Sequence, residues 1–354
     1  MGNKDALISI NDLREGMIVA KEIVVNNNVL VVKGTRITQS IIKKLRDVYL
    51  ENALIVDGEE IIKQNKKLDY NKELKEVRKT LRNFAYQLEN MFEKIKLNGK
   101  TDINDLRNFS QRIIDELISP RMIVKNIIME GSKEDCIFKH SVNVSLLSLF
   151  LGKWLRFSGE ELNLLLYTAI LHDFGKTKIN NKSICRPGQL SSIDMENIKN
   201  HPVIAYNLVK DIAYLSKSVK YGIVMHHERL DGSGYPLGLK DDEIHKFAKI
   251  IAIADTFDDI ISNREKEKDV NPFKALEIIK GYSLGKLDYN YCNIFIEGII
   301  NYYFGENVVL NNNKVCKIIN IDINNLSQPL LQCDEDFIDF RKHKELKIKG
   351  FVVN

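Results

Sequence analysis

Five of the seven histidines, His140, His172, His201, His226 and His227, fall between positions 140 and 227, where apolar residues recur at helical spacing. His140 shares a stripe with Val144, Leu147 and Leu151, the i, i+4, i+7, i+11 pattern of a buried helix face. His172 follows Leu165 and Ala169 in the same way, with Asp173 next to it, and Asp255 closes the series Ile244, Ala248, Ile251. The adjacent pair His226-His227 cannot both be inert packing, because neighbouring helical residues project in different directions and each buried ring nitrogen needs a partner. Any one histidine on an apolar face reads most simply as a hydrogen-bonded core residue, and Pro202 marks His201 as a helix-start residue. Together, so many inward polar groups would need separate partners in a core that offers few. A metal cluster satisfies all of them at once.

Seven ligands, His140, His172, Asp173, His201, His226, His227 and Asp255, exceed what one tetrahedral zinc requires, so two divalent transition-metal ions are expected, with Asp173 able to bridge them. Mixed imidazole and carboxylate ligation suits Fe or Mn, with Zn or related ions open. Such pairs activate a shared water and clamp the attacking and leaving oxygens of a phosphoester. His245 and His343 lie outside the pattern and are expected at the surface.

The segment 121–304 reads almost wholly as helices, so the fold class expected is mainly α, a helical bundle with small appended modules. Residues 1–62 read as a small α+β regulatory or interaction module. It has extended pieces at 17–25 and 29–32, a helix that Thr38 can cap, and a strand at 53–56. Residues 63–120 form a helical linker. Its helix over 66–96 carries Leu74, Val77, Leu81, Phe84, Leu88, Met91 and Ile95 at alternating spacings of three and four, a heptad seam. The seam predicts a homodimerising coiled coil; the alternative is an amphipathic helix lying on its own domain. A second helix, 103–117, is expected to stop at Ser119-Pro120. Residues 305–354 read as a β-rich C-terminal appendage with strands at 307–310, 314–321 and 347–353.

Lys and Arg number 52 against 48 Asp and Glu, and the net charge of +4 argues against a surface dedicated to a nucleic-acid polymer. The five cysteines, Cys136, Cys185, Cys292, Cys316 and Cys333, are odd in number without a C-x-x-C pair, and are read as reduced thiols. No window is long and apolar enough for a membrane span, and the N-terminus has no apolar leader, so the expected location is the cytoplasm.

The segment Leu171-His172-Asp173-Phe174-Gly175-Lys176 resembles the H-D-x-G-K signature of HD-domain phosphohydrolases, and the stretch from His226 to Pro236 resembles H-H-E-x-x-D-G-x-G-Y-P. With His140-Ser141-Val142-Asn143-Val144, Arg186-Pro187-Gly188-Gln189-Leu190, His201-Pro202 and Ala252-Ile253-Ala254-Asp255 in the same order, the chain resembles the HD-GYP family of cyclic di-GMP phosphodiesterases over roughly 125–285. The resemblance implies an HD-domain bundle and metal ligation by the seven residues named, Asp173 bridging. Some members hold a third metal through a glutamate four residues before the first histidine; that position here is Cys136, which favours two ions.

The resemblance further implies cyclic di-GMP as substrate, hydrolysed to linear pGpG and onward to GMP. Catalytic roles fall to Asp173, Lys176 and Asp258. Lys176 is expected to reach a phosphate oxygen, and Asp258 to orient Lys176 or accept a proton from the attacking water. Lys176, Arg264, Gly234, Tyr235 and Pro236 are the expected substrate contacts, and the loop from Gly232 to Pro236 is also a candidate protein-partner surface. Many relatives read S-D-R-P-Y-R after the last ligand, whereas this chain reads Ser262-Asn263-Arg264-Glu265-Lys266-Glu267-Lys268, which keeps Arg264 and lacks the Pro-Tyr. Two alternatives stay open: a cyclic-dinucleotide receptor with little turnover, and a phosphodiesterase for another cyclic dinucleotide.

Overall fold

The computed structural model describes residues 5–8, 13–20, 23–25, 28–32, 34–47, 54–57, 62–98, 103–116, 119–132, 137–179, 192–262, 272–333, 336–343 and 345–351. Among them the helices are α1 (Gln39–Asp47), α2 (Ile62–Asn98), α3 (Ile103–Asp115), α4 (Pro120–Glu130), α5 (Phe138–Trp154), α6 (Gly159–Leu171), α7 (Ser192–Lys199), α8 (His201–Val209), α9 (Lys217–Met225), α10 (Lys246–Ser262), α11 (Pro272–Tyr282) and α12 (Tyr289–Asn301). The molecule is therefore mainly helical, and no described helix is long and apolar enough to cross a membrane.

Helix α5 is buried along nearly its whole length, from His140 to Gly152, because it packs against α2, α6, α10 and α12 on different sides. A helix apolar all round is what such a central position requires. Helix α6 starts at a capping box: Ser158 Oγ accepts from the Glu161 amide at 3.3 Å and Glu161 Oε2 accepts from the Ser158 amide at 3.0 Å. It ends at Leu171, which delivers His172 and Asp173 at the point where the chain tightens into a 3-10 turn, Phe174–Lys178.

Near the N-terminus, strands β1 (Asp5–Ile8), β2 (Ile18–Val19) and β5 (Leu54–Asp57) form an antiparallel sheet in the order β1-β5-β2, and β3 (Ile23–Val25) pairs with β4 (Asn28–Val31). Thr38 Oγ1 accepts from the Ile41 amide at 3.4 Å, as a capping threonine does. Leu13, Val19, Ile23, Val31, Ile37, Ile42 and Leu45 make a separate small core. At the other end, β6 (Asn307–Leu310), β7 (Val315–Asn320), β8 (Leu330–Cys333), β9 (Asp336–Asp339) and β10 (Ile348–Phe351) form an antiparallel sheet ordered β10-β6-β7-β8-β9. Its inner face, with Val308, Leu310, Ile318 and Leu331, joins the main helical core.

The helix before Ser119-Pro120 stops as expected, α3 ending at Asp115, and Pro120 itself begins α4 in its first turn, where its missing amide hydrogen costs nothing. Two expectations are corrected. The cysteines are not all reduced thiols: Cys316 and Cys333 face each other across β7 and β8, 4.4 Å apart at Cα, and are disulfide-bonded, while Cys292 is free and buried. Cys136 and Cys185 lie outside the described residues. The heptad seam of α2 is not an open dimer surface, because all seven of its residues are buried within the chain in one core with α3, α4 and α5.

One polar cluster ties α4 to the C-terminal sheet. Glu306, just before β6, pairs with Arg121 and lies 2.5 Å from Lys125 Nζ, whose side chain is only 6% exposed. Glu306 bonds both basic side chains, so Glu306→Ala is expected to lower unfolding free energy by about 1–3 kcal/mol in a denaturant titration, the cost of taking one partner from buried polar groups. A midpoint equal to wild type would show that the cluster contributes nothing.

Candidate metal centre

Each expected ligand is delivered by a helix end or an apolar helix face. His140 sits in the first turn of α5, His172 and Asp173 follow α6, His201 opens α8, His226 and His227 follow α9, and Asp255 lies inside α10. All seven converge. Asp173, His201, His226 and His227 form one group and His140, His172 and Asp255 another, the potential ligand atoms of each lying within 4.8 Å of one another. Six of the seven are buried and His227 is partly so.

The ring nitrogens are sorted by their outer partners. His172 Nδ1 lies 2.7 Å from the Ala169 carbonyl oxygen, His201 Nδ1 2.6 Å from that of Ile198, and His226 Nδ1 2.6 Å from that of Ile223. A carbonyl can only accept, so Nδ1 carries the hydrogen in each ring and Nε2 presents a bare lone pair to the cluster. His201 Nε2 and His226 Nε2 then approach to 3.1 Å, a repulsive contact between lone pairs unless a cation lies between them. His172 Nε2 and His227 Nε2 are buried without any hydrogen-bond partner. Orphaned nitrogens of this kind, aimed inward beside two carboxylates, fit divalent metal ions.

Asp173 faces both groups. Its Oδ1 is 3.1 Å from His201 Nε2 and 3.9 Å from His226 Nε2, while its Oδ2 is 3.5 Å from His140 Nε2, 3.5 Å from His172 Nε2 and 2.6 Å from Lys176 Nζ. Burial pushes its carboxyl up, but Lys176, His172 and His201 outweigh that and hold it well below the usual carboxylate range. Burial, reinforced by neighbouring imidazoles, holds His226 and His227 far below the usual histidine value, and burial also lowers His172. These three rings are therefore neutral, the form that ligates. His140 differs: burial opposes its charge, but Asp255 and Asp258 on its two nitrogens raise it well above the usual value.

Close backbone approach places His201. A Cβ on Gly175 would lie 2.0 Å from the His201 carbonyl oxygen, so only glycine lets the 3-10 turn after Asp173 pack onto α8. The loop after His227 is folded back just as tightly. Gly234 lies where a Cβ would meet Arg229 N and Glu228 Cα at 2.4 Å, Tyr235 N donates to the His227 carbonyl at 3.2 Å, and the Tyr235 ring stacks on His227 at 4.6 Å. Pro236 is half-buried next to it.

Lys176 lies at the edge of the centre with its side chain 18% exposed. Burial works against its charge, but Asp173, Asp255 and Asp259 more than compensate, and its pKa is raised above the ordinary lysine value. Asp258 takes a different place from the one expected: it does not contact Lys176 but accepts from His140 Nδ1 and from Asn143 Nδ2, each at 2.8 Å. Arg264 and the segment 263–271 lie outside the described residues, as does 180–191 with Arg186 to Leu190. His343 is exposed as expected, whereas His245 is half-buried and its Nδ1 accepts from the Phe247 amide at 3.1 Å at the start of α10.

Three residues near the site had no role from sequence. Asn143 is one turn past His140, a spacing that could have marked it as a neighbour of that ring's partner. Glu228 stands inside the H-H-E motif; its buried carboxylate accepts from the Leu237 amide at 2.7 Å and the Leu239 amide at 3.0 Å and so closes the loop. Asp259, one turn past Asp255, acts electrostatically on Lys176, while burial and Asp255 push its own carboxyl up to about 7.

Residues 124–290 match the family described as HD domain. The chain is 31% identical over 193 residues to Cyclic di-GMP phosphodiesterase PdeB of Borreliella burgdorferi, covering 54% of this chain and 50% of that protein. It is 29% identical over 197 residues to 3'3'-cGAMP-specific phosphodiesterase 1 of Vibrio cholerae, covering 55% and 45%. The chain thus spans about half the length of the curated relatives it matches. Among solved structures, Bd1817, a HDG"Y"P protein from Bdellovibrio bacteriovorus, is similar in fold with a TM-score of 0.50 at 17% identity, over 83% of this chain and 99% of that one.

Proposed function

Because residues 124–290 form an HD domain whose motifs are those of the HD-GYP family, we propose that the chain is a metal-dependent phosphodiesterase that opens cyclic di-GMP to linear pGpG, with GMP as the product of a second cut. The observation that carries this reading is Asp173, whose two oxygens divide between two groups of histidines and acids. A phosphodiester has no good leaving group at neutral pH, and what it needs from an enzyme is a positioned water and compensation for charge building on oxygen. Two divalent ions bound here would polarise the phosphoryl oxygens and acidify the attacking water.

The chain's own residues supply the rest. Asp173 and Asp255 would bring negative charge to such ions, and the backbone carbonyls behind His172, His201 and His226 fix the ring orientations. Lys176 carries three donors at the edge of the centre, placed for a non-bridging phosphate oxygen. The Tyr235 hydroxyl, pushed up by burial and by Asp255, remains a donor, and its ring covers His227. Arg264 remains the proposed second phosphate contact, and the loop from Gly232 to Pro236 remains the proposed site for a protein partner.

Elemental analysis of anaerobically purified protein, coupled to chromatography of products from cyclic di-GMP, tests this function. The expected result is about two ions of Fe, Mn or Zn per chain, the number a bridged phosphoesterase centre uses, together with pGpG. One ion or none at saturation, or no linear product from metal-replete protein, would defeat it. The relative named for 3'3'-cGAMP favours a second substrate reading, which the same chromatography decides when both cyclic dinucleotides compete. Binding of either without turnover is the result that selects a receptor.

Lys176→Ala is expected to lower kcat by roughly 10²-fold, the loss typical of one preorganised donor, while the metal content stays at the wild-type level. Should the variant purify without metal, Lys176 serves the centre through Asp173 and not the substrate.

A further inference from the structure

The group of His140, His172 and Asp255 is held by a hydrogen-bonded chain that begins outside the candidate ligands. Asp258 is fully buried on α10, one turn past Asp255, and its two oxygens take different partners. Oδ1 accepts from Asn143 Nδ2 at 2.8 Å; Oδ2 accepts from His140 Nδ1 at 2.8 Å and is 3.4 Å from Ser262 Oγ. Ser262, the last residue of α10, accepts in turn from the Ser132 amide at 2.8 Å and from Ser132 Oγ at 2.9 Å. With two donors filling its lone pairs, the only direction left for the Ser262 hydroxyl hydrogen is toward Asp258. The α4–α5 turn that carries Ser132 is itself pinned, because Glu130, at the end of α4, pairs with Arg78 of α2 and lies 3.7 Å from Lys139 of α5.

We infer that Asn143 and Ser262 are positioning residues for the metal centre: through Asp258 they hold the His140 ring in the tautomer and orientation that turn Nε2 toward Asp255 and Asp173. The inference rests on the metal-binding reading above. Asn143 is 1% exposed, is flanked on α5 by Val142 and Val144, and donates its amide to Asp258 Oδ1. Asn143 on Oδ1 and Ser262 on Oδ2 hold the Asp258 carboxylate from two sides, so that Oδ2 faces His140 Nδ1. His172, His201 and His226 take their orientation from carbonyls of their own chain segment, three residues upstream. His140 alone among the four depends on a carboxylate from another helix, so it is the ring whose aim can be lost without disturbing its own backbone.

The test uses full-length, metal-stripped protein titrated with Mn2+ by calorimetry, for wild type, Asn143→Leu, Ser262→Ala, Ser262→Thr and His140→Ala. Asn143→Leu keeps the volume and removes the donor; Ser262→Ala removes only a hydroxyl at a helix end, so one variant survives if the other fails to fold. The expected result is two binding phases in wild type, with one weakened about 10- to 100-fold in Asn143→Leu and, more mildly, in Ser262→Ala, the range seen when outer partners of a ligand are removed. Ser262→Thr restores the wild-type isotherm, and the thermal midpoint of metal-free Ser262→Ala, in which the Asp258 carboxylate loses only a 3.4 Å contact, stays close to wild type. A merely structural role would shift that midpoint and leave the Mn2+ isotherm unchanged, and that outcome overturns the inference. Failure of the underlying metal reading looks different: wild type takes up no Mn2+, or His140→Ala binds it as wild type does.

Discussion

Asp173→Ala is expected to abolish the proposed phosphodiester hydrolysis and to lower metal uptake, the largest effect of any single substitution in the centre. The carboxylate approaches four imidazoles and a lysine, with one oxygen toward each ligand group. Its low pKa depends on several neighbours at once, burial being outweighed by Lys176, His172 and His201 together. Removing it leaves Lys176 without its 2.6 Å partner and leaves His201 and His226 facing each other across 3.1 Å with no anion to offset a cation. A loss of roughly 10³-fold or more in kcat is the scale set by removal of one preorganised electrostatic group from a phosphoryl or acyl transfer site. Asp173→Asn separates charge from shape: it keeps the volume, cannot serve two ions as an anion, and is expected to behave like Asp173→Ala in metal content. Elemental analysis at saturating metal, run beside circular dichroism to confirm the fold, is the measurement. Two ions retained by either variant would remove Asp173 from the bridging position.

That these histidines and acids lie on buried faces was legible because helical spacing records which face a residue occupies. His140 with Val144, Leu147 and Leu151, and Asp255 with Ile244, Ala248 and Ile251, announced polar atoms on buried faces before any contact was known. What spacing cannot record is which buried face meets which. Asp258 was read toward Lys176 because both lie near ligands, yet α10 turns it toward α5, onto His140 and Asn143. The disulfide has the same origin. Cys316 and Cys333 are 17 residues apart and become neighbours only through the pairing of β7 with β8, and β8 carried no clear strand signal of its own. Ser119-Pro120 shows a local ambiguity: the same dipeptide that ends one helix is also suited to begin the next, and here α4 starts at the proline.

The seam of α2 shows the limit most plainly and leads to the second large effect. A repeat of three and four tells that one face of a helix is covered, and it reads the same whether the cover is a second chain or the helix's own domain. Here no residue of the seam, from Leu74 to Ile95, is more than 7% exposed, and the cover is α3, α4 and α5. Phe84 meets Phe109 edge-on at 6.0 Å. Phe92, next to the seam, packs on Phe138 at 5.9 Å and on Phe174 at 4.5 Å, the residue that follows Asp173. The helix therefore supports the turn that carries Asp173. Replacing Leu81 and Leu88 together by Glu buries two carboxylates where 4% and 0% of the leucines were exposed. The lost apolar burial alone costs about 2–5 kcal/mol per site, and desolvated charge adds to it, so the sum reaches the whole stability of an ordinary domain. The double variant is expected to lose its cooperative unfolding transition and its metal together. Circular dichroism against denaturant, with light scattering on the same samples, checks this. A variant that stayed folded with the wild-type midpoint while its mass fell by half would return the seam to an interface between two chains.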